Sequence, residues 1–399
     1  MPDFLILHIV FWFCIFSFLW SYIGYPLLMC VLSKRGAKNQ IVYSSGDILP
    51  RVSVLMSVYN EEKYLSEKID TLLAQDYSGA IDIYVGSDAS YDKTDAIVDE
   101  MSKQSDNLYF FPYKERRGKP SVINDLHAHV SGLYGQGSDH IYILTDANVM
   151  LKSDVVSNLV QHFKNDNISL VDAHMTYSGM KDDGISNSEN TYLNAEVKLK
   201  HHESMVTKKM IGPFGGCYAL RSELFRPVPS HFLVDDFYLA MQVFSAGKLA
   251  INELSAVCRE PVTHHLSQEY KRKKRIAAGN FQNFFHFIGL FNPFTSLGAS
   301  LISHKLIRWI GPFLIALIIG ISLFLASMGL PFYKLISACL AVWFLMIPLL
   351  DTVLSLVGIH LKMLRSISYF NLMNLALLAG FFKYLGGIKK GTWDRTERT

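Results

Sequence analysis

The chain has 399 residues, a net charge of +3, and a composition that is 50% hydrophobic and 18% charged. So apolar a composition excludes an ordinary soluble enzyme, the polar remainder excludes a pure membrane bundle, and so small a charge gives no electrostatic case for a nucleic-acid partner. The five cysteines form no CxxC pair and no Cys/His ligand spacing, which points to reduced, buried thiols and a cytoplasmic soluble part.

The first element is an apolar run over 4–32. It exceeds the ~20 helical residues that cross a ~30 Å hydrocarbon core. Its basic residues follow it, at Lys34, Arg35 and Lys38, so residue 34 onward is expected in the cytoplasm. A signal peptide would place them first. Residues 36–50 have the composition of a linker.

From 51 to 144, β-rich runs alternate with helical patterns. Strands are expected at 51–58, 81–86, 108–111 and 140–144. Between them, Leu65, Ile69, Leu72 and Leu73 share one helical face, a second helix restarts over 92–101 with Asp92 or Thr94 as cap, and a third covers about 121–130. This order predicts an α/β fold with a parallel sheet and helices on its faces. Ligands in such folds bind beyond the carboxyl ends of the strands, where Asn60, Asp88 and Asp146 fall. Residues 178–190 are polar and rich in Gly, Ser and Asp, and predict a mobile loop.

Two more apolar runs, 306–328 and 333–358, follow the α/β region. Asp351 in the second is costly in lipid and calls for protein or water beside it. The stretch 366–382 is short and carries Asn371 and Asn374. A full crossing would leave Lys383, Lys389, Lys390, Arg395 and Arg398 outside, so a re-entrant or interfacial helix is expected, with a further span as the alternative. The resulting division is an N-terminal transmembrane helix (1–33), a linker (34–50), a cytoplasmic domain (51–280), an amphipathic interfacial region (281–304), a membrane region (305–388) and a basic cytoplasmic tail (389–399).

Seven motifs in one order resemble a family 2 glycosyltransferase of GT-A (Rossmann-like) fold: VSVLMSVYNEE at 52–62, SDASYDKT at 87–94, RGKPSVIN at 117–124, TDAN at 145–148, GGCYALRSELF at 215–225, DDFYLAMQVFSAGK at 235–248 and KRKKRIAAGNFQ at 271–282. The flanking apolar runs make the chain similar to the membrane-embedded polysaccharide-synthase branch, with the domain inserted between transmembrane helices of an inner or plasma membrane. The resemblance implies an inverting transfer of a sugar from a nucleotide-sugar donor, a uridine diphosphate sugar, to a glycan or polyprenyl-linked acceptor. It also implies contact with membrane lipid, polysaccharide-export partners and a divalent cation, Mg2+ or Mn2+.

Site residues follow from the same motifs. Asn60, Glu61, Asp88, Lys119, Asp146, Arg272 and Arg275 match donor-binding positions, with Asp88 on the uracil N–H and Lys119 and Arg275 toward phosphate. Asp146 and Asn148 match the cation-holding element. Its third position is Asn rather than Asp, so less charge reaches the metal, and Glu260, His264 and His265 are candidates by position to complete the shell. Asp236 matches the catalytic base, with Asp235 in place of a glutamate as the alternative. Gly215, Gly216 and Cys217 match an acceptor-site turn. Ile276 stands where processive members carry tryptophan, and GTWDRT at 391–396 resembles an element at the mouth of their site.

Each assignment has a plainer counterpart. Asp88 can be a turn acid, Lys119 an exposed lysine, Asp235 and Asp236 acids that complement a helix dipole, 215–217 a tight structural turn, and 271–275 a basic patch on anionic lipid. The competing function class is a membrane transporter or receptor with a nucleotide-sensing α/β domain and no turnover. A dinucleotide oxidoreductase is disfavoured because no GxGxxG follows the first strand.

Overall fold

The computed structural model describes residues 4–44, 46–135, 137, 139–179, 185–262 and 266–392. After a long helix α1 (Leu5–Ser33), the chain builds β1 (Arg51–Val58), α2 (Leu65–Leu73), β2 (Ile81–Asp88), α3 (Thr94–Ser102), β3 (Leu108–Tyr113), α4 (Lys119–Tyr134) and β4 (His140–Thr145). These four strands are parallel, with β1 between β2 and β4 and β3 outside β2. Their residues alternate between two cores. Val52, Val54 and Met56 pack with Ile69 and Leu72 of α2 on one face. Leu55, Tyr84 and Tyr142 pack with Val122, Ile123 and Leu126 of α4 on the other. Strands buried on both faces read as near-continuous apolar runs, which is why the sequence locates them within a residue or two.

The second half of the sheet is mixed. It adds β5 (Met150–Leu151), α5 (Val155–Val160), β6 (Ile168–Ser178), α6 (Ile185–Val206), β7 (Cys217–Arg221), α7 (Asp235–Ser245), β8 (Leu249–Pro261) and α8 (Leu266–His286). The strand order is β3-β2-β1-β4-β7-β6-β8-β5, with β7 antiparallel to both β4 and β6. Because β2 and β4 leave β1 in opposite directions, a crevice opens at the carboxyl ends of β1, β2 and β4, the topological switch point of the sheet.

Part of the expected loop at 178–190 is helical, since α6 begins at Ile185; residues 180–184 lie outside the described residues. The polar composition of α6 misleads because its inward positions are charged and paired. Glu189 accepts from Arg272 at 2.5 Å, and Lys200 lies 3.4 Å from Asp172. Glu196 pairs with Arg308 and, at 3.0 Å, with Lys305. Glu203 accepts from Tyr25 of α1 at 2.9 Å and bonds His304 at 2.7 Å.

The apolar carboxyl-terminal part forms α9 (Ser296–Trp309), α10 (Gly311–Ser327), α11 (Pro331–Leu356) and α12 (Lys362–Leu385). Among the described residues, α1 and α11 are long and apolar enough to cross a membrane, and α9 with α10 makes a third candidate bent by 62°. The expected run 306–328 is therefore broken. Pro312 has no N–H to bond the preceding turn and its ring clashes with the carbonyl four residues back, so the helix interrupts at Ile310. Asp351 is buried with Arg365 Nε 3.9 Å away. Helix α12 lies against α8: a Cβ on Gly380 would stand 2.7 Å from the Lys274 carbonyl oxygen.

Candidate active site

The crevice opens into a cavity of about 860 Å³ that reaches from the strand ends to α9, α12 and the start of the tail. It brings together Glu61, Asp88, Lys119, Asp146, Asn148, Gly215, Gly216, Asp235, Asp236, Arg272 and Arg275. Asn60 and Cys217 are not on its wall.

Asn60 is a local anchor. It sits at φ +54, its N–H donates to Ser90 Oγ at 3.1 Å, and its side-chain oxygen accepts from the Tyr91 N–H at 3.0 Å, tying the end of β1 to the loop after β2. Cys217 is fully buried on β7 beside Cys258, on the core side of the turn. Only the two glycines of the 215–217 motif therefore face the cavity.

Asp88 ends β2 and is nearly buried. Its two carboxylate oxygens accept from the Arg117 N–H at 2.7 Å and the Gly118 N–H at 2.8 Å, so the acid first shapes the loop before α4. Each oxygen keeps a lone pair for a further donor. The guanidinium of Arg116 lies 3.8 Å above the Tyr59 ring at the cavity edge. That planar pair can stack a base; Tyr59 lies inside the 52–62 motif and Arg116 directly before the 117–124 motif, and neither is among the expected site residues. Gly118 has φ +89 and a Cβ there would meet the Gly391 carbonyl at 2.9 Å, so the tail packs on the loop that Asp88 holds. Gly391 and Thr392 both line the cavity; the rest of the 391–396 motif lies outside the described residues.

Lys119 opens α4 and points into a nest of acids. Its Nζ donates to Asp146 at 2.7 Å and lies 3.6 Å from Asp235. Burial alone would lower the Lys119 ammonium, but the charges of Asp146 and Asp235 outweigh it and hold the group above its ordinary value. Asp146 follows β4, and its N–H donates to the Gly216 carbonyl at 3.0 Å. The Asn148 amide donates to Glu260 at 3.4 Å. No group of three or more His, Cys, Asp or Glu gathers at metal-binding distance among the described residues. His264 and His265 lie outside them.

Asp235 and Asp236 form the first turn of α7, where the helix dipole favours acids. They point differently. Asp235 is buried toward Lys119. Asp236 faces Gly215, which at φ +78 leaves room for the carboxyl. Burial, with the neighbouring Asp235 charge, pushes Asp236 from 3.8 up to about 7. A carboxyl raised in this direction suits proton transfer closer to neutrality than an ordinary carboxylate does.

The basic cluster divides. Arg272 lines the cavity and is fastened by Glu189 at 2.5 Å and by Glu269 at 2.8 Å, so it also joins α8 to α6. Arg275 lines the cavity and is lowered to about 10 by burial and by the Arg272 charge. Ile276 lines the cavity too. Beyond Gly215, the Lys200 ammonium sits 3.3 Å over the Phe214 ring and lines the wall, a residue outside every motif of the sequence.

Residues 53–228 match the glycosyl transferase family 2 model. The chain is 41% identical over 75 residues to an uncharacterized glycosyltransferase of Rickettsia typhi, covering 19% of this chain and 22% of the relative. It is 24% identical over 254 residues to an N-acetylglucosaminyltransferase of Rhizobium leguminosarum bv. viciae, covering 59% and 57%. The chain thus spans less than two thirds of the length of these relatives. A mannosyltransferase of Pyrobaculum calidifontis, solved with GDP-Man and Mn2+, superposes with a TM-score of 0.66 at 21% identity over 94% of this chain and 99% of that one, and so shares its fold. Residues 53–228 are therefore similar to a family 2 glycosyltransferase domain, on an α/β sheet of GT-A fold.

Proposed function

We propose that the chain is an inverting glycosyltransferase that moves a sugar from a nucleotide-sugar donor, a uridine diphosphate sugar, to a glycan or lipid-linked acceptor at a membrane, in polysaccharide biosynthesis. The observation that carries this reading is Asp236: a carboxyl set against Gly215 on the same cavity wall as the acids of the donor side, and held by burial above the usual carboxylate range.

Asp88, Tyr59 and Arg116 hold the base, and Arg275 meets the diphosphate. Asp146 and Asn148 offer two hard oxygen donors, which suit Mg2+ or Mn2+ if donor phosphate oxygens complete the shell. Such an ion supplies charge neutralisation at the leaving diphosphate. Lys119 withdraws from Asp146 toward phosphate as the donor arrives, and Asp235 keeps it in reach. Asp236 takes the proton of the acceptor hydroxyl. That oxygen forms a bond to the anomeric carbon from the face opposite the diphosphate, the bond to the phosphate oxygen breaks, and nucleoside diphosphate leaves.

The membrane setting is supported by α1 and α11, which are long and apolar enough to cross a bilayer. The purified protein in lipid nanodiscs is tested with a panel of uridine and guanosine diphosphate sugars, membrane lipid extract and Mn2+. The expected result is release of nucleoside diphosphate from one donor, with sugar transferred in inverted configuration. Binding of a donor with no release would instead support the nucleotide-sensing reading.

A further inference from the structure

The turn that carries Asp146 and Asn148 is held from beneath by a cation that none of the motifs includes. Lys68 on α2 is fully buried. Its Nζ donates to Thr145 Oγ1 at 2.7 Å and to the Val149 carbonyl at 2.5 Å. These acceptors are the first and last residues of 145–149, so one ammonium spans the turn. Taking a charge out of water is expensive and a buried lysine ordinarily keeps a carboxylate partner. Here both hydrogen-bonded partners are neutral oxygens, and the charge is committed to the shape of the turn. The network continues beyond it. Thr145 Oγ1 donates to the Gly216 carbonyl at 2.9 Å, and the Asp146 N–H donates to the same oxygen at 3.0 Å. Gly216 follows Gly215, whose missing side chain makes room for Asp236.

We propose that Lys68 is a positioning residue for the transfer reaction: its ammonium clamps both ends of 145–149 so that Asp146 and Asn148 are presented together to the donor diphosphate and its cation. Through Thr145 and Gly216 it also fixes that turn against the glycine wall of Asp236. The proposal rests on the roles given to Asp146, Asn148 and Asp236 above. Groups that orient metal ligands from behind are worth ~10–100-fold in affinity or activity.

The test uses Lys68→Met in the full-length protein, which keeps the apolar stem and removes the donors. Amide hydrogen exchange over 143–150 is measured without ligand, and the Kd of Mn2+ with UDP, and with GDP, by calorimetry. The clamp predicts faster exchange confined to 145–149, a nucleotide Kd weakened by ~10-fold or more, and a donor KM that rises more than kcat falls. If the Met variant does not fold, Thr145→Val removes the same node, and Thr145→Ser restores protection by keeping the hydroxyl. Wild-type exchange and Kd in the folded variant, or protection lost evenly across the sheet, overturns the proposal. A wild-type protein that binds neither Mn2+–UDP nor Mn2+–GDP overturns the donor-site reading instead, and the exchange data still decide the clamp.

Discussion

Replacing Gly215 by alanine separates the placement of Asp236 from its chemistry. Gly215 lies at φ +78, and a Cβ there would stand 3.0 Å from the Asp236 Cγ and closer still to Oδ2. The backbone cost of a left-handed L residue is ~1–2 kcal/mol. Carbon atoms settle at ~3.5–4.0 Å, so the carboxyl must retreat by roughly 0.5–1 Å. A shift of about 1 Å in a reacting group can cost ~100-fold in rate. Asp88, Asp146 and Arg275 are untouched, so Gly215→Ala is expected to lower kcat by ~10–100-fold with little change in donor KM. Initial rates of nucleoside diphosphate release against donor concentration measure both, and a thermal melt confirms the fold. A kcat within about threefold of wild type in a folded variant refutes the placement of the base beside Gly215.

Three further outcomes are expected. The acid limb of kcat/KM should fall near pH 7, with rate rising as Asp236 loses its proton; stability runs the other way, because a carboxyl raised from 3.8 to about 7 favours the fold in its neutral form, and that contribution is lost as pH rises through about 7. Melts at pH 5 and pH 8 show the sign, and the opposite order sinks it. Arg272→Ala should destabilise the protein by up to ~3–5 kcal/mol, because buried Glu189 and Glu269 lose the guanidinium and keep only Tyr177 and Lys273 as partners, and denaturant titration measures it; a purely kinetic effect would favour the donor-site role of Arg272. Chelation should remove activity and Mn2+ or Mg2+ restore it, so transfer that persists in chelator excludes the cation from the mechanism.

The first four strands and their helices were legible because buried parallel strands carry apolar residues on both faces and turns punctuate them. Asp88 and Asp146 were legible for the same reason, since a strand end fixes where they point. Pairing at long range accounts for part of what the sequence does not show. The start of α6 falls in the expected loop at 178–190 because its polar residues include Glu189, an inward residue whose partner Arg272 lies on α8. Arg272 does line the cavity, but its bond to Glu189, 83 residues away in the chain, is not readable from spacing. Asn60 and Cys217 sit in the right motifs, but backbone direction turns one into a loop anchor and the other into the core. The break at Ile310 was written in Gly311-Pro312, inside a run whose hydropathy alone suggests continuity.

In the proposed transfer, Asp236 accepts the proton of the acceptor. Asp236→Asn keeps the size and the bond to the Phe237 N–H while removing the base. Turnover measured beside nucleotide-sugar binding by calorimetry should show transfer lowered by ~10²–10⁴-fold with donor Kd unchanged. Wild-type turnover in that variant would contradict the account.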